Sequence, residues 1–283
     1  KNHFGNPKFV SGELEIDYIK DPIPDISFVF PTPGNGTTTS NISFSANVSI
    51  FAYNLSEIKW GFNNTNFTLY NDSLVLMYNF DNLSSLGEND SHIFDASLSK
   101  NNGTVKGDLK DSDSGVNCTT VKYGCNRMFD GFGDYINVGD KSSLELMSSL
   151  TIETWIYTIA TGGGHVITKS ARGSGGLDAD PISYDLRIDS STLNPRFVVS
   201  DDGFGIDTLS SRTNLTLNNW YHLVAIYNGT TLRGYINGVL DNSTLTSQAT
   251  GTIANTSEAL FIGSNDDVDF TFNGLIDTVR IYN

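Results

Sequence analysis

The chain has 283 residues, with 17 Lys and Arg against 32 Asp and Glu and a formal net charge of −15. Binding a phosphate backbone requires clustered Lys and Arg that release counterions, so nucleic acid is excluded as an expected partner. No apolar run approaches the roughly 18 residues of a membrane-spanning helix, and Lys1 does not open a signal segment; the expectation is a mature or excised soluble chain.

Strand signals recur along the whole sequence, bounded by Gly, Asn and Asp, with no useful helical period, so the expected class is all-β. Five of the seven prolines precede Asn35, which marks the beginning as strand edges and linker. There SGELEIDYIK (Ser11 to Lys20) alternates Leu14 and Ile16 with charges before Asp21-Pro22-Ile23-Pro24 breaks it. ISFVF, NISFSANVSIF, EIKWGF and FTLY follow between Ile26 and Tyr70. Those three or four strands make about half of an Ig-like sandwich, which takes about seven. GNGTTTS, from Gly34 to Ser40, is expected as a turn or glycan-bearing loop. From Ser73 the character changes to a continuous series of eleven or more short strands, which suits one jelly-roll sandwich. The expected division is residues 1–22 as strand and linker, 23–72 as a partial Ig-like domain, and 73–283 as the jelly roll.

Within that series, NWYHLVAIYNGTTLRGYINGVL (Asn219 to Leu240) reads as a three-strand meander. Trp220, His222, Val224 and Ile226 face one way and Tyr221, Leu223, Ala225 and Tyr227 the other. Asn228-Gly229 and Asn237-Gly238 are expected to form the two hairpin turns. His222 falls in line with the apolar set, so it is expected to be a satisfied sheet-face histidine, and a catalytic role would need partners.

The two cysteines, Cys118 and Cys125, lie in VNCTTVKYGC with no nearby His at metal-ligand spacing, so a disulfide is expected. Closing so short a loop contributes about 2–3 kcal/mol in the chain-entropy model, and it needs an oxidising compartment. Asn-X-Ser/Thr acceptors point the same way. They stand at Asn35, Asn41, Asn47, Asn54, Asn63, Asn66, Asn71, Asn82, Asn89, Asn102, Asn117, Asn214, Asn228, Asn242 and Asn255, against about six from chance pairing at this composition. The chain reads as extracellular, with several of these sites glycosylated.

The order NFD, NNGTVKG, CNRMFDGFGDYINVGD, LTIETWIYT, NNWYHLVAIYNGTTLRGYINGVL, LFIGS and FNGLIDTVRIYN resembles a laminin-G-like, concanavalin A-like jelly-roll domain over about Ser73 to Asn283. The preceding segment, with FVFPTPGNGTTTSNISFSANVSI, resembles archaeal cell-surface proteins in which such a jelly roll is inserted into an Ig-like domain. The fold hosts lectins, adhesion modules and hydrolases alike. The resemblance also implies a structural calcium where the first, FDG and last strands meet, with Asp81, Asp130, Asp134 and Asp277 as the matching acids. The alternative for Asp130 and Asp277 is turn capping.

Hydrolases of this sandwich type carry Glu-x-Asp-x-Glu along one strand, and that pattern is absent. Glu145 and Glu153 are isolated, and Glu153 is expected to border the core beside Trp155. His3, His92, His165 and His222 are far apart, and no Gly-x-Ser-x-Gly turn is present, so nucleophilic catalysis has no visible machinery. GGGH (Gly162 to His165) reads as a flexible loop. DSDSG (Asp111 to Gly115) starts like a calcium loop but lacks the closing Glu. Sugar binding needs an exposed aromatic with polar neighbours, which Asp201, Asp202 and Phe204 in SDDGFG offer, as does Phe132 in GFGDY.

The expected function is a non-enzymatic, glycosylated surface or filament protein. Its partners are other copies of itself or other surface proteins, joined by β-strand pairing in which Glu13 to Ile19 is the donor strand. The alternative is a calcium-dependent carbohydrate-binding module of a larger secreted protein, with glycans as partners.

Overall fold

Alternation in sequence becomes alternation in burial. Along LTIETWIYT, Leu150, Ile152, Thr154, Ile156 and Thr158 are buried while Thr151, Glu153, Trp155 and Tyr157 are half-buried, as a strand with one face on a core requires. The computed structural model describes residues 57–283 apart from 63–64, 108–114, 121–123, 171–180, 204–205, 242–243, 246–250 and 265–269. Before residue 57 it describes 3–4, 8–10, 13–15, 18–19, 25–30, 32–34, 38 and 47–51. The chain divides into two units, Lys1–Asn71 and Asp72–Asn283.

In the first unit β1 (His3–Phe4), β2 (Lys8–Val10), β3 (Glu13–Glu15) and β4 (Tyr18–Ile19) nest, β1 pairing with β4 and β2 with β3. Further on, β5 (Asp25–Val29) pairs with β6 (Asn47–Phe51), and β7 (Ile58–Phe62) with β8 (Thr65–Tyr70). Among the described residues these ladders are not joined to one another. The described parts of the expected donor segment, Glu13–Glu15 and Tyr18–Ile19, are therefore already paired inside their own chain. To reach a neighbour they would have to give up Lys8–Val10 and His3–Phe4.

The second unit begins with β9 (Leu74–Tyr78), β10 (His92–Ile93), β11 (Gly103–Lys106), β12 (Gly115–Asn117), β13 (Asn126–Asp130) and β14 (Tyr135–Gly139). It continues through β15 (Leu150–Thr158), β16 (Gly164–Ser170), β17 (Ile182–Ile188), β18 (Pro195–Val199), β19 (Asp207–Ser210) and β20 (Trp220–Tyr227). It closes with β21 (Leu232–Ile236), β22 (Val239–Leu240), β23 (Thr244–Leu245), β24 (Leu260–Ile262) and β25 (Asn273–Tyr282). These build two antiparallel sheets. A nine-stranded sheet runs β10-β11-β14-β24-β16-β17-β18-β19-β23, and an eight-stranded sheet runs β12-β13-β25-β15-β20-β21-β22 with β9 paired further along β25. The result is the expected all-β, concanavalin A-like jelly-roll sandwich; the described residues hold two single-turn 3-10 segments and no helix long and apolar enough to cross a membrane.

One continuous core fills the space between the sheets. Ile152, Ile156, Leu223, Ala225, Ile276 and Val279 come from the eight-stranded sheet, and Ile136, Val166, Tyr184, Leu186, Phe197 and Ile262 from the nine-stranded one. Each such Leu, Ile or Phe removed from water contributes roughly 1.5–3 kcal/mol. A buried carboxylate ties the first strand to the loop ahead of β11. Asp95 Oδ1 accepts the Met77 and Ser97 N–H groups, and Oδ2 accepts the Ser97 hydroxyl and the Asn101 N–H, all at 2.7–2.9 Å. Four donors satisfy the charge that burial would otherwise penalise.

The Asn219 to Leu240 meander is present as β20, β21 and β22. Asn237 and Gly238 both have positive φ, 52° and 78°, and join Ile236 to Val239 by a two-residue turn of the kind that Asn-Gly favours. Asn228-Gly229, expected to do the same, instead lies in a four-residue turn between Tyr227 and Leu232. There Asn228 Oδ1 accepts the Thr230 and Thr231 N–H groups, so the side chain caps the turn and the backbone need not tighten. GGGH is a second correction, because Gly164 and His165 open β16. At Gly164 (φ +138°) a Cβ would come within 2.5 Å of the Phe272 backbone, so the close approach excludes any side chain.

Candidate functional site

The outward face of the eight-stranded sheet gathers rings and charges from three neighbouring strands. Because the inward positions of β15 and β20 go to aliphatic residues together with Thr154, Thr158 and Tyr227, Glu153, Trp155 and Tyr157 on β15 and Trp220 and His222 on β20 stand on the opposite face. The register sets Trp155 opposite His222 and Tyr157 opposite Trp220. The first pair has ring centroids 4.8 Å apart at 34°, the second 5.5 Å apart at 53°. Such tilted cross-strand pairs add about 0.5–1.5 kcal/mol beyond their burial.

Next to the rings lies an ionic bridge across all three strands. Glu153 Oε1 is 3.0 Å from His222 Nε2 and accepts a hydrogen bond from Arg280 Nη1, on β25, at 2.9 Å. These three side chains are 22%, 20% and 30% exposed, open enough to meet a ligand yet sheltered enough for their charges to matter. Burial pushes the Glu153 carboxyl up, but the hydrogen bond from His222 and the Arg280 charge more than offset it, so it is held below the usual carboxylate range. The β21–β22 turn braces the histidine, since Asn237 Oδ1 accepts the His222 N–H at 2.9 Å. Glu153, expected at the border of the core, thus stands on the solvent-facing side. His222 is the satisfied sheet-face histidine that its position predicts, with partners that lie far from it in sequence.

A second ionic group lies on the nine-stranded sheet. β17 turns Ser183, Asp185 and Arg187 away from the core. His165 Nδ1 is 2.7 Å from Asp185 Oδ1, and Arg187 Nε is 3.3 Å from Oδ2. Burial raises the Asp185 pKa, while the His165 and Arg187 charges and the hydrogen bonds from His165 and Thr168 lower it further, and the net direction is down. The carboxylate is fully buried. This cluster holds β16 to β17 in a fixed geometry.

The four acids expected at a calcium site do not converge on one point. Asp130 and Asp134 come together at the β13–β14 turn, where Asp134 Oδ2 accepts the Asp130 N–H at 3.2 Å and Asp130 Oδ1 accepts the Phe132 N–H at 2.6 Å. Asp81 lies elsewhere, accepting the Cys125 N–H at 2.9 Å, and Asp277 sits on β25 opposite Trp155, accepting the Thr278 hydroxyl at 3.0 Å. Among the described residues no three His, Cys, Asp or Glu group as a metal site. Asp111 to Ser114 lie outside the described residues.

Of the expected sugar-binding residues, Asp201 and Asp202 are exposed after β18, Phe204 lies outside the described residues, and Phe132 stands 80% exposed on a different turn. Cys118 and Cys125 form the expected disulfide, with Cα atoms 4.3 Å apart. Among the glycosylation acceptors Asn82, Asn89, Asn214, Asn228 and Asn255 are exposed, while Asn71, Asn102 and Asn117 are half-buried. Asn47 and Asn66 lie on β6 and β8, and Asn35, Asn41, Asn54, Asn63 and Asn242 lie outside the described residues.

Residues 129–283 match the family described as the concanavalin A-like lectin/glucanases superfamily. No curated protein matches the chain in sequence. Among solved structures, domain 4 of AbnA, a GH43 extracellular arabinanase from Geobacillus stearothermophilus in complex with arabinotriose, is similar with a TM-score of 0.50 at 19% identity, over 75% of this chain and 92% of that domain. The binding domain of Paraclostridial Mosquitocidal Protein 1 matches with a TM-score of 0.52 at 16% identity, over 75% of this chain and 49% of its own. The binding domain of botulinum neurotoxin serotype G matches at 0.51 and 14%, over 74% and 47%. The chain thus spans about half the length of the two toxin domains, and at these identities the likeness is one of fold.

Proposed function

The chain belongs to the concanavalin A-like lectin/glucanase superfamily, and from that premise we propose that it is a secreted or surface protein that binds glycans on the outward face of its eight-stranded sheet without cleaving them. The observation that carries this reading is the juxtaposition of Trp155, Tyr157, Trp220 and His222 with the Glu153–Arg280 pair. Sugar rings present apolar C–H faces that stack on aromatic rings and hydroxyl groups that both donate and accept, so a site for them combines rings with fixed polar groups. The arabinotriose complex of the AbnA domain is an instance of a sugar on the same fold.

Binding without hydrolysis is supported by the state of Glu153. A glycosidase general acid must keep its proton near neutral pH, and Glu153 is pulled the other way by its two partners. The exposed acceptors Asn82, Asn89, Asn214, Asn228 and Asn255 support a glycosylated, extracellular setting, as does the disulfide. The test is a glycan array followed by titration calorimetry of the hits, with Trp155→Ala as control. A chain that binds no glycan, or releases reducing ends from those it binds, sinks the proposal.

A second reading, assembly through β-strand pairing, rests on β5. Its Ile26, Phe28 and Val29 are 62%, 65% and 42% exposed, and an exposed apolar hairpin invites another strand. Sedimentation over a range of concentrations separates the readings, since a chain that stays monomeric throughout removes this one.

A further inference from the structure

The class of sugar follows from the layout of the face, on the premise that the glycan-binding proposal holds. We infer that this face takes internal residues of a neutral, extended glycan laid along β15, and neither a terminal sugar nor an acidic chain.

Direction comes first. Glu153, Trp155 and Tyr157 occupy successive outward positions of one strand, about 6–7 Å apart, so the row is roughly 13 Å long. His222 and Trp220 repeat the last two positions on the neighbouring strand. The recognition groups therefore form a line and do not converge around a point. A single sugar ring cannot touch Glu153 and Tyr157 together, whereas a chain lying along β15 meets the polar group and then each ring pair in turn. A pocket that selects a chain terminus closes around it, but these groups stand side by side on three sheet strands.

Charge decides between neutral and acidic chains. Glu153 is matched by Arg280, which leaves the row without surplus positive charge, and the Arg280 amino group that would greet a carboxylate already donates to Glu153. Arg233, also on this sheet, is paired with Ile226, which in turn pairs with Thr151, beyond Glu153 and away from the rings. A uronic or sulfated chain would find no free counter-charge along the row while approaching a protein of net charge −15. Desolvating an anion without a partner is costly, and a body of like charge repels it at low salt. Neutral hydroxyls suit the site better, because Glu153 can accept from them and the further N–H groups of Arg280 can donate.

The experiment uses the full chain and two series of oligosaccharides, from monosaccharide to hexasaccharide. One series is neutral (arabino-, xylo-, manno- and cello-oligosaccharides) and the other is oligogalacturonate, with binding followed by calorimetry and by quenching of tryptophan fluorescence. The expected result is that affinity in at least one neutral series rises about tenfold or more between disaccharide and tetrasaccharide. Blocking either end of the chain should leave it unchanged, and Trp155→Ala and Trp220→Ala should each weaken it about tenfold or more. Trp220→Tyr, which keeps a ring, should retain most of it, so that a folding defect is not mistaken for a lost contact. Binding that needs a free chain end, or that favours oligogalacturonate and falls steeply with salt, overturns the inference while the glycan-binding proposal stands. Absence of any glycan binding overturns both.

Discussion

Glu153 and Arg280 face each other across β15 and β25, 127 residues apart in sequence and joined by a 2.9 Å hydrogen bond. A carboxyl held below its usual range contributes stability that is complete above its unfolded pKa of about 4.3 and is lost as pH falls from there through the folded value. Glu153→Gln is therefore expected to cost about 1–2 kcal/mol at neutral pH, with a half-exposed bridge setting the lower figure. The gap between variant and wild type should narrow as pH is lowered below about 4. Urea titrations at a series of pH values check both the size and the trend, and a gap that stays constant down to strong acid assigns the loss to packing.

Asp185 should matter more for stability and less for ligand. Removing one partner of a buried ion pair leaves the other uncompensated, at a cost of about 3–5 kcal/mol, so Asp185→Asn strands Arg187 and His165. Urea unfolding should show a loss of that order, while glycan affinity of the folded fraction stays at the wild-type level. A loss of binding with stability intact would move the functional site to the nine-stranded sheet.

Gly263 is expected to tolerate no side chain. It has φ of +88°, and a Cβ there would lie 2.2 Å from Cε1 of the buried Phe129 ring. Overpacking and the positive φ together predict about 2–4 kcal/mol of destabilisation for Gly263→Ala. Combining it with Phe129→Leu should recover part of that loss if the clash is the cause, as thermal melts of the two variants would show.

Reduction of the Cys118–Cys125 bond is expected to cost about 2–3 kcal/mol, or roughly 4–12 °C in Tm for a unit of this size. Calorimetry with and without reductant reads this directly. An unchanged midpoint would mean that the loop is held by its other bonds, among them the Asn126 amide on the Thr120 carbonyl.

The fold was legible because its signal is local. Period-two alternation in LTIETWIYT and WYHLVAIY fixes which residues face the core, and the Asn237-Gly238 turn follows from the two positive φ values that only such residues adopt readily. The candidate site was legible by halves. Alternation puts Trp220 and His222 on one face, but it cannot say that Glu153 lies beside them, since that contact depends on β15 pairing with β20 in one particular register. His165 and Asp185 meet for the same reason, through a ladder that bulges between His165 and Ile167. The Asn228 turn differs at a finer scale, because an Asn-Gly dipeptide carries two ways of turning and here the Thr230 and Thr231 hydroxyls also donate to Asn228 Oδ1 and support the wider one.

β25 has a consequence for the order in which the protein can be made. It pairs with β13, with β15 and with β9, which lie roughly 145, 125 and 205 residues upstream of their partners on it. Until Asn273 to Tyr282 have left the ribosome, β9 and β13 have no strand to join them to β15, and the eight-stranded sheet exists as three separate pieces, β9, β12–β13 and β15–β20–β21–β22. Contacts of such long range also close slowly. Synthesis of this unit is thus a wait for its keystone, and any export or chaperone machinery that handles it meets a chain whose sandwich is incomplete until β25 has emerged.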